Sequence, residues 1–208
     1  MTDRTCFGLG PSRRLAAVVF AFGFALLSVS RSAVAGDFQL AVGASGAATE
    51  WRGDVAVYSS LKLGYRFADL VGVYGMGRLG YGAVDDRMLT LLSFGAQVWG
   101  QIDAARPYAR IGFAHQHEES LVVVRDDVGG ALFGVGDGIR HRAGGEGAIG
   151  VEIPFADIGR GASGAVPSGR GRVQMFGALE GSALWLPNAQ GPNVYGGGGV
   201  SLGMSYWL

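Results

Sequence analysis

The stretch Val200-Ser201-Leu202-Gly203-Met204-Ser205-Tyr206-Trp207-Leu208 alternates large apolar residues with small ones. In an extended strand, successive side chains point to opposite faces, so one face collects Val200, Leu202, Met204, Tyr206 and Leu208. A chain that ends on such a strand, with no anchoring helix, fits a transmembrane β-barrel, because the last strand of a barrel closes against the first and leaves no edge in lipid. The pattern therefore predicts a membrane-spanning barrel.

The N-terminal segment predicts export. Arg4, Arg13 and Arg14 precede an apolar run over residues 15–29, and Ala33-Val34-Ala35 has the small-x-small pattern of a signal-peptidase site. The apolar run is shorter than the ~20 residues that a membrane-spanning helix needs. We expect residues 1–35 to be a signal peptide, cleaved near Ala35 after Sec export, and residues 36–208 to form one barrel domain.

Composition narrows the function classes. The chain has 17 basic and 17 acidic residues, so no electrostatic field favours nucleic acid as a partner. Its single cysteine, Cys6, lies in the predicted signal, which excludes disulfides from the exported part. The 38 glycines follow no collagen period, and we interpret them as residues that permit tight curvature in a small barrel.

Eight segments alternate with period 2, and each is long enough for a tilted strand to cross a bilayer. We predict an all-β, antiparallel up-and-down barrel with strands at 37–48, 54–67, 69–82, 87–102, 105–117, 140–153, 172–185 and 193–208. Residues 154–171 would then form an unusually long inner turn. Ten strands are the alternative, with the extra pair at 121–124 and 131–135.

The two faces of these strands differ in chemistry. Every charge in the strand cores falls opposite the apolar face, which predicts a lumen charge cluster of Lys62, Arg66, Arg78, Arg110, Glu146, Glu152 and Glu180. A basic residue facing lipid at the midplane would cost about 2–4 kcal/mol, whereas inward charges can pair and plug a narrow barrel. Aromatic residues at strand ends on the apolar face predict an interfacial girdle of Phe38, Tyr65, Phe67, Tyr81, Trp185 and Tyr206.

The segments Ser93-Phe94-Gly95-Ala96-Gln97-Val98 and Arg106-Pro107-Tyr108-Ala109-Arg110-Ile111-Gly112, with the terminal strand, resemble the small eight-stranded outer-membrane barrels of Gram-negative bacteria, namely the outer membrane protein A transmembrane domain and the OmpX/Ail-like proteins. The resemblance implies a place in the bacterial outer membrane among its lipids, and biogenesis through the barrel-assembly machinery. That machinery reads a terminal signal, here Val200, Leu202, Met204, Tyr206 and Leu208. Family members commonly end in an aromatic residue, whereas this chain ends Tyr206-Trp207-Leu208.

The longest outer loop, 118–139, contains two apolar stretches around Asp126-Asp127-Val128-Gly129-Gly130, a reasonable hairpin turn. We expect the fifth and sixth strands to continue through it as a β-ribbon beyond the membrane. Such a ribbon exposes an edge on which an extracellular protein partner could add a strand.

The segment His115-Gln116-His117-Glu118-Glu119-Ser120 offers residue types used in hydrolysis and zinc binding. The spacing is poor for a serine triad, because Ser120 has the opposite parity to His117. His115 and His117 share a face and could hold zinc with Glu119, although histidines near a strand end are more often interfacial or loop residues. We therefore predict no catalytic residue, no metal and no cofactor. The expected function is that of a non-enzymatic outer-membrane barrel with a structural or surface-interaction role. A small porin-like channel and, more remotely, a lipid-modifying hydrolase are the alternatives.

Overall fold

The computed structural model describes residues 36–51, 53–67, 70–158, 172–187 and 191–207. The predicted signal peptide and Leu208 lie outside this part of the chain. No helix in the described residues is long and apolar enough to cross a membrane.

Eight antiparallel strands close into one barrel, in which each strand pairs with its neighbours in sequence and the last pairs with the first. The predicted all-β, up-and-down fold is confirmed. The strands are β1 (Gly36–Thr49), β2 (Val55–Phe67), β3 (Val71–Gly82), β4 (Arg87–Trp99), β5 (Arg106–Ser120), β6 (Arg140–Ile158), β7 (Val173–Trp185) and β8 (Val194–Trp207).

The predicted β-ribbon in the 118–139 loop is wrong, and so is the ten-strand alternative. Pairing between β5 and β6 ends at Glu118 and Arg140, and the chain between them forms two short helices, α1 (Leu121–Asp126) and α2 (Val128–Phe133). The side chain of Asp127 accepts a hydrogen bond from the Gly130 backbone N–H at 2.8 Å and so caps the start of α2. Gly134 ends α2 in the left-handed conformation at φ 67°, which suits glycine. Local capping therefore outweighs the apolar β-like pattern here.

The long inner turn predicted at 154–171 begins later than expected. β6 continues to Ile158 and pairs with β7 through a register shift between Pro154 and Ala156. A proline cannot donate to the ladder, and a bulge is one of the few places where a strand tolerates it. The described part of this connection is thus strand.

The barrel is apolar outside and polar inside. Ile111 on the outer wall is 72% exposed and Ile149 is 70% exposed, whereas Arg66 is 1% exposed and Glu152 is fully buried. This is the reverse of a soluble protein, in which ionised side chains are rarely buried.

The contact between β1 and β8, which we call the seam, is lined inside by small residues. Their inward positions carry mainly Gly43, Ser45 and Ala47 from β1, and Gly197, Gly199 and Ser201 from β8. A Cβ added at Gly199 would lie 2.7 Å from the Ala44 carbonyl oxygen, so the backbones leave no room for a side chain there. Larger inward side chains lie at the two ends of the seam, as at Gln39 and Tyr195, and on the other strands.

Candidate functional site

The centre of the lumen holds a network of two arginines and two glutamates. Arg78 and Arg110 donate to the same Oε1 atom of Glu146, at 2.9 and 2.7 Å. Arg110 Nη2 also donates to Glu180 at 2.6 Å, and the Tyr108 hydroxyl donates to Glu180 at 2.7 Å. Two cations face two anions, so the central network is electrically balanced, as burial of charge requires.

Two further ion pairs lie on the side of the central network toward the chain termini. Lys62 Nζ is 3.7 Å from Glu152 Oε1 and donates to Gln97 at 3.4 Å. Arg66 Nε donates to Asp37 Oδ1 at 2.6 Å, and its guanidinium lies 5.4 Å from the centre of the Trp99 ring. The stacking is a favourable use of an arginine that is removed from water.

A second network fills the opposite, loop-bearing end of the lumen. Glu118 accepts from Arg142 at 2.6 Å, from Gln116 at 2.7 Å and from Arg87 at 3.3 Å. Arg87 also binds both oxygens of Asp54, at 2.7 and 2.8 Å. Arg140, which is partly exposed, approaches Glu118 to 3.4 Å. We call this the rim network.

The connectors at this end are tied together by Glu50. Its carboxylate accepts hydrogen bonds from the backbone N–H groups of Asn193 and, at 2.7 Å, Val194. Burial alone would raise the pKa of Glu50, but these hydrogen bonds outweigh it and lower the pKa. The ionised carboxylate therefore holds the β1–β2 connector to the start of β8.

An apolar layer separates the two networks. Leu89, Leu91 and Ala114 are fully buried and pack in one cluster with Tyr58 and Leu184. Along β4, Leu89 and Leu91 follow Arg87, and along β5, Ala114 lies between Glu118 and Arg110. Below this layer, a small cavity lies beside Ser45, Ser60 and the central arginines, with space for water.

The structure places all seven predicted lumen residues inside the barrel and brings each of them into an ion pair. Five further residues pair in the same lumen and were not among the predicted ones: Asp37, Asp54, Arg87, Glu118 and Arg142. Arg142 shares the parity of Glu146 four residues on, a signal that could have found it. Glu118 was assigned to the 118–139 loop, so its parity was not considered.

The residues predicted as a girdle divide between the two ends of the barrel. Phe38 pairs with both Tyr65 and Tyr206 near the chain termini, where Phe67 also lies. Tyr81 and Trp185 lie at the loop-bearing end, near the ends of β3 and β7. Of the predicted assembly signal, the residues on the exposed outer face of β8 are Val200, Leu202, Met204 and Tyr206.

The residues considered for catalysis do not share a face. His115, His117 and Glu119 have the outward parity of β5, whereas Ser120 has the inward parity of Gln116 and Glu118. The strand geometry therefore offers no local His–Ser pair of the kind that activates a serine nucleophile.

Comparison with solved structures places this architecture among known barrels. Neisserial surface protein A matches with a TM-score of 0.50 at 14% identity, over 82% of this chain and 96% of that chain. The fold is that of the small outer-membrane β-barrels. The N-terminal barrel domain of Pseudomonas aeruginosa OprF matches with a TM-score of 0.43 at 14% identity, over 83% and 97% of the two chains. Ail, the attachment invasion locus protein of Yersinia pestis, matches with a TM-score of 0.45 at 14% identity, over 84% and 98%. No protein-family model and no curated protein matches this sequence.

Proposed function

We propose that this chain is a non-enzymatic integral protein of the bacterial outer membrane, exported with residues 1–35 as its signal. Its lumen is closed, and its role is structural or lies in surface contacts. The observation that carries the proposal is the reversed polarity of the barrel, with isoleucines exposed on the outer wall and ion pairs buried within. Lipid is a favourable environment for the apolar outer wall. Because the barrel is closed, no strand edge with unpaired backbone groups faces the lipid.

The filling of the lumen supports the proposal that it is closed. An eight-stranded barrel is only wide enough for its interior side chains, and here two ionic networks with an apolar layer between them occupy it. In planar bilayers, we expect the folded protein to give no steady conductance above the lipid baseline. A stable, ion-selective conductance of the folded wild type would overturn the closed lumen and support the small-channel alternative.

The surface role rests on the segment 121–138. It exposes apolar side chains at Val122, Phe133 and Val135, of which Phe133 is 80% exposed. We propose that an extracellular protein binds these side chains, through helices and not through an added strand. A photo-cross-linker at position 133 in intact cells should give a protein adduct, while the same group at the lipid-facing position 61 should give lipid adducts. Lipid adducts alone at position 133 would contradict the surface role.

Placement in the membrane predicts a depth-dependent cost of charge on the outer wall. Leu61, at the middle of β2, and Val55, at its first residue, are 49% and 50% exposed. We expect Leu61→Arg to lower the free energy of unfolding by about 2–4 kcal/mol and Val55→Arg by about 0–1 kcal/mol. Urea titration in lipid vesicles, followed by tryptophan fluorescence, measures both variants. Equal, small effects would indicate a water-facing wall.

A further inference from the structure

All three histidines of the chain lie together on the outer wall of the barrel. The sequence contains only His115, His117 and His141. His115 and His117 occupy consecutive outward positions of β5, and His117 is the direct cross-strand partner of His141 in β6. From the sequence, His115 and His117 could hold zinc with Glu119, but no metal was predicted because histidines near a strand end are more often interfacial or loop residues. His141 was not considered.

The geometry of the three rings is close to that of a metal site. The centre of the His117 ring lies 4.7 Å from the centre of the His115 ring and 4.7 Å from that of the His141 ring. One nitrogen from each ring can be chosen so that all three lie within 4.8 Å of one another. Tetrahedral zinc, with Zn–N bonds of about 2.0–2.1 Å, needs nitrogens about 3.4 Å apart. Binding therefore requires the rings to turn toward one another, and the exposed position of His141 leaves room for its side chain to do so.

The surroundings of the cluster contain polar atoms without partners. His117 is buried, and its Nδ1 has no hydrogen-bond partner in the described residues. Glu119, two residues further along the same outward face, is 2% exposed, and neither of its carboxylate oxygens has a hydrogen-bond partner there. Buried polar groups in proteins are normally paired. A bound cation would be a partner for the His117 nitrogen. It would also supply a positive charge opposite to that of the Glu119 carboxylate.

The cluster lies beneath the loop that carries the two helices. Gly134, in the left-handed conformation, lies against His117 so closely that an added Cβ would collide with the ring. The Leu121 N–H donates to the Asp86 carbonyl at 3.0 Å, which fixes the other end of the loop to the rim. A metal at this position would therefore link β5, β6 and the base of the loop.

We propose that His115, His117 and His141 form a zinc-binding site on the outer wall, at the base of the 121–138 loop. Neutral imidazole is a good ligand for zinc. Glu119 lies on the same strand face, two residues beyond His117. The site is separate from the ionic networks of the lumen, because outward and inward side chains alternate along β5.

The test is a titration of the folded, metal-free barrel in detergent with Zn²⁺ alone. The protein is purified through a tag that contains no histidine, and binding is measured by calorimetry and by competition with a chromophoric chelator. We expect one Zn²⁺ per chain. His141→Ala and His117→Ala should each lower the affinity by at least about 100-fold, because loss of even an outer-shell partner costs roughly 10–100-fold.

Asp137→Asn is the matched control, since Asp137 is an exposed acidic residue of the same loop, and it should bind Zn²⁺ like the wild type. Each variant is first checked for the folded band on an unboiled detergent gel. His141→Ala decides the outcome if His117→Ala does not fold, because the His141 side chain is exposed. The absence of saturable Zn²⁺ binding, or affinity unchanged in His141→Ala, would overturn the proposal. Binding of Cu²⁺ or Ni²⁺ without Zn²⁺ would overturn its assignment to zinc.

Discussion

Replacing Glu146 with glutamine is expected to lower the free energy of unfolding by about 3–5 kcal/mol, the usual cost of removing one partner from a buried ion pair. Arg78 and Arg110 both donate to Glu146, and both are buried. Arginine cannot lose its proton to escape the unfavourable site. Glu180 is left to compensate one guanidinium, and the central network gains a net positive charge. Urea unfolding in lipid vesicles measures the loss.

Asp157→Asn is the control for the Glu146 variant. Asp157 also pairs with an arginine, Arg172, at 2.7 Å, but both side chains are partly exposed. Exposed pairs contribute about 0–1 kcal/mol, so this variant should remain near the wild type. If Glu146→Gln cost no more than the control, the lumen would have to be hydrated, and the closed-lumen proposal would fail with it.

Replacing Glu118 with glutamine is the second change with a large expected effect, again a loss of about 3–5 kcal/mol in the free energy of unfolding. Glu118 lies among Arg87, Arg140 and Arg142, and Asp54 is the other acid of the rim network. The substitution leaves three cations with one anion. Arg142 keeps its hydrogen bonds to the carbonyls of Leu186 and Pro192, so we expect destabilisation with the fold preserved at low denaturant.

Glu50→Gln provides the comparison at the same end of the barrel, because Glu50 is exposed and binds backbone N–H groups only through its surface carboxylate. A neutral Gln side-chain oxygen still accepts from these N–H groups, so the substitution should cost about 1 kcal/mol. Equal effects of the two substitutions in the same urea titration would show that the ion pairs of Glu118 are not buried from water.

The strands could be predicted from the sequence because membrane barrels impose a strict period of two. β3 shows this well, since Val71, Val73 and Leu79 face outward while Tyr74 and Arg78 face inward, as their parity requires. The same parity placed the seven lumen charges inside. Each of these predictions depends only on neighbours along one strand.

The cross-lumen pairs could not be predicted in this way. Arg78 and Glu146 are separated by 68 residues, and their contact depends on the register of each ladder between them. A single-residue slip would move a side chain to the other face, but registers that differ by two residues keep the same polarity and look alike in sequence. His141 was overlooked for the same reason, since only the β5–β6 register places it beside His117.

The loop helices were missed because a short apolar run does not distinguish helix from strand. Leu121-Val122-Val123-Val124 is rich in β-branched residues, which favour strands, yet it forms α1. For α2 the local signals are the Asp127 cap and the left-handed Gly134 at its end, whereas α1 has no side-chain cap at its start.

The small residues inside the seam bear on how the barrel is completed. Among the described strands, the pairing of Asp37 with Trp207 joins the residues that are farthest apart in sequence. Contacts of such separation form late because of their entropic cost. Gly197, Gly199 and Ser201 meet Gly43, Ser45 and Ala47, so the middle of the final strand docks without moving bulky side chains past one another. The larger side chains stand at the two ends of the seam, where Gln39 donates to Ser205 and Tyr195 donates to Glu118. The middle of the seam therefore closes by pairing of backbones, and its ends are fastened by side chains that also belong to the interior.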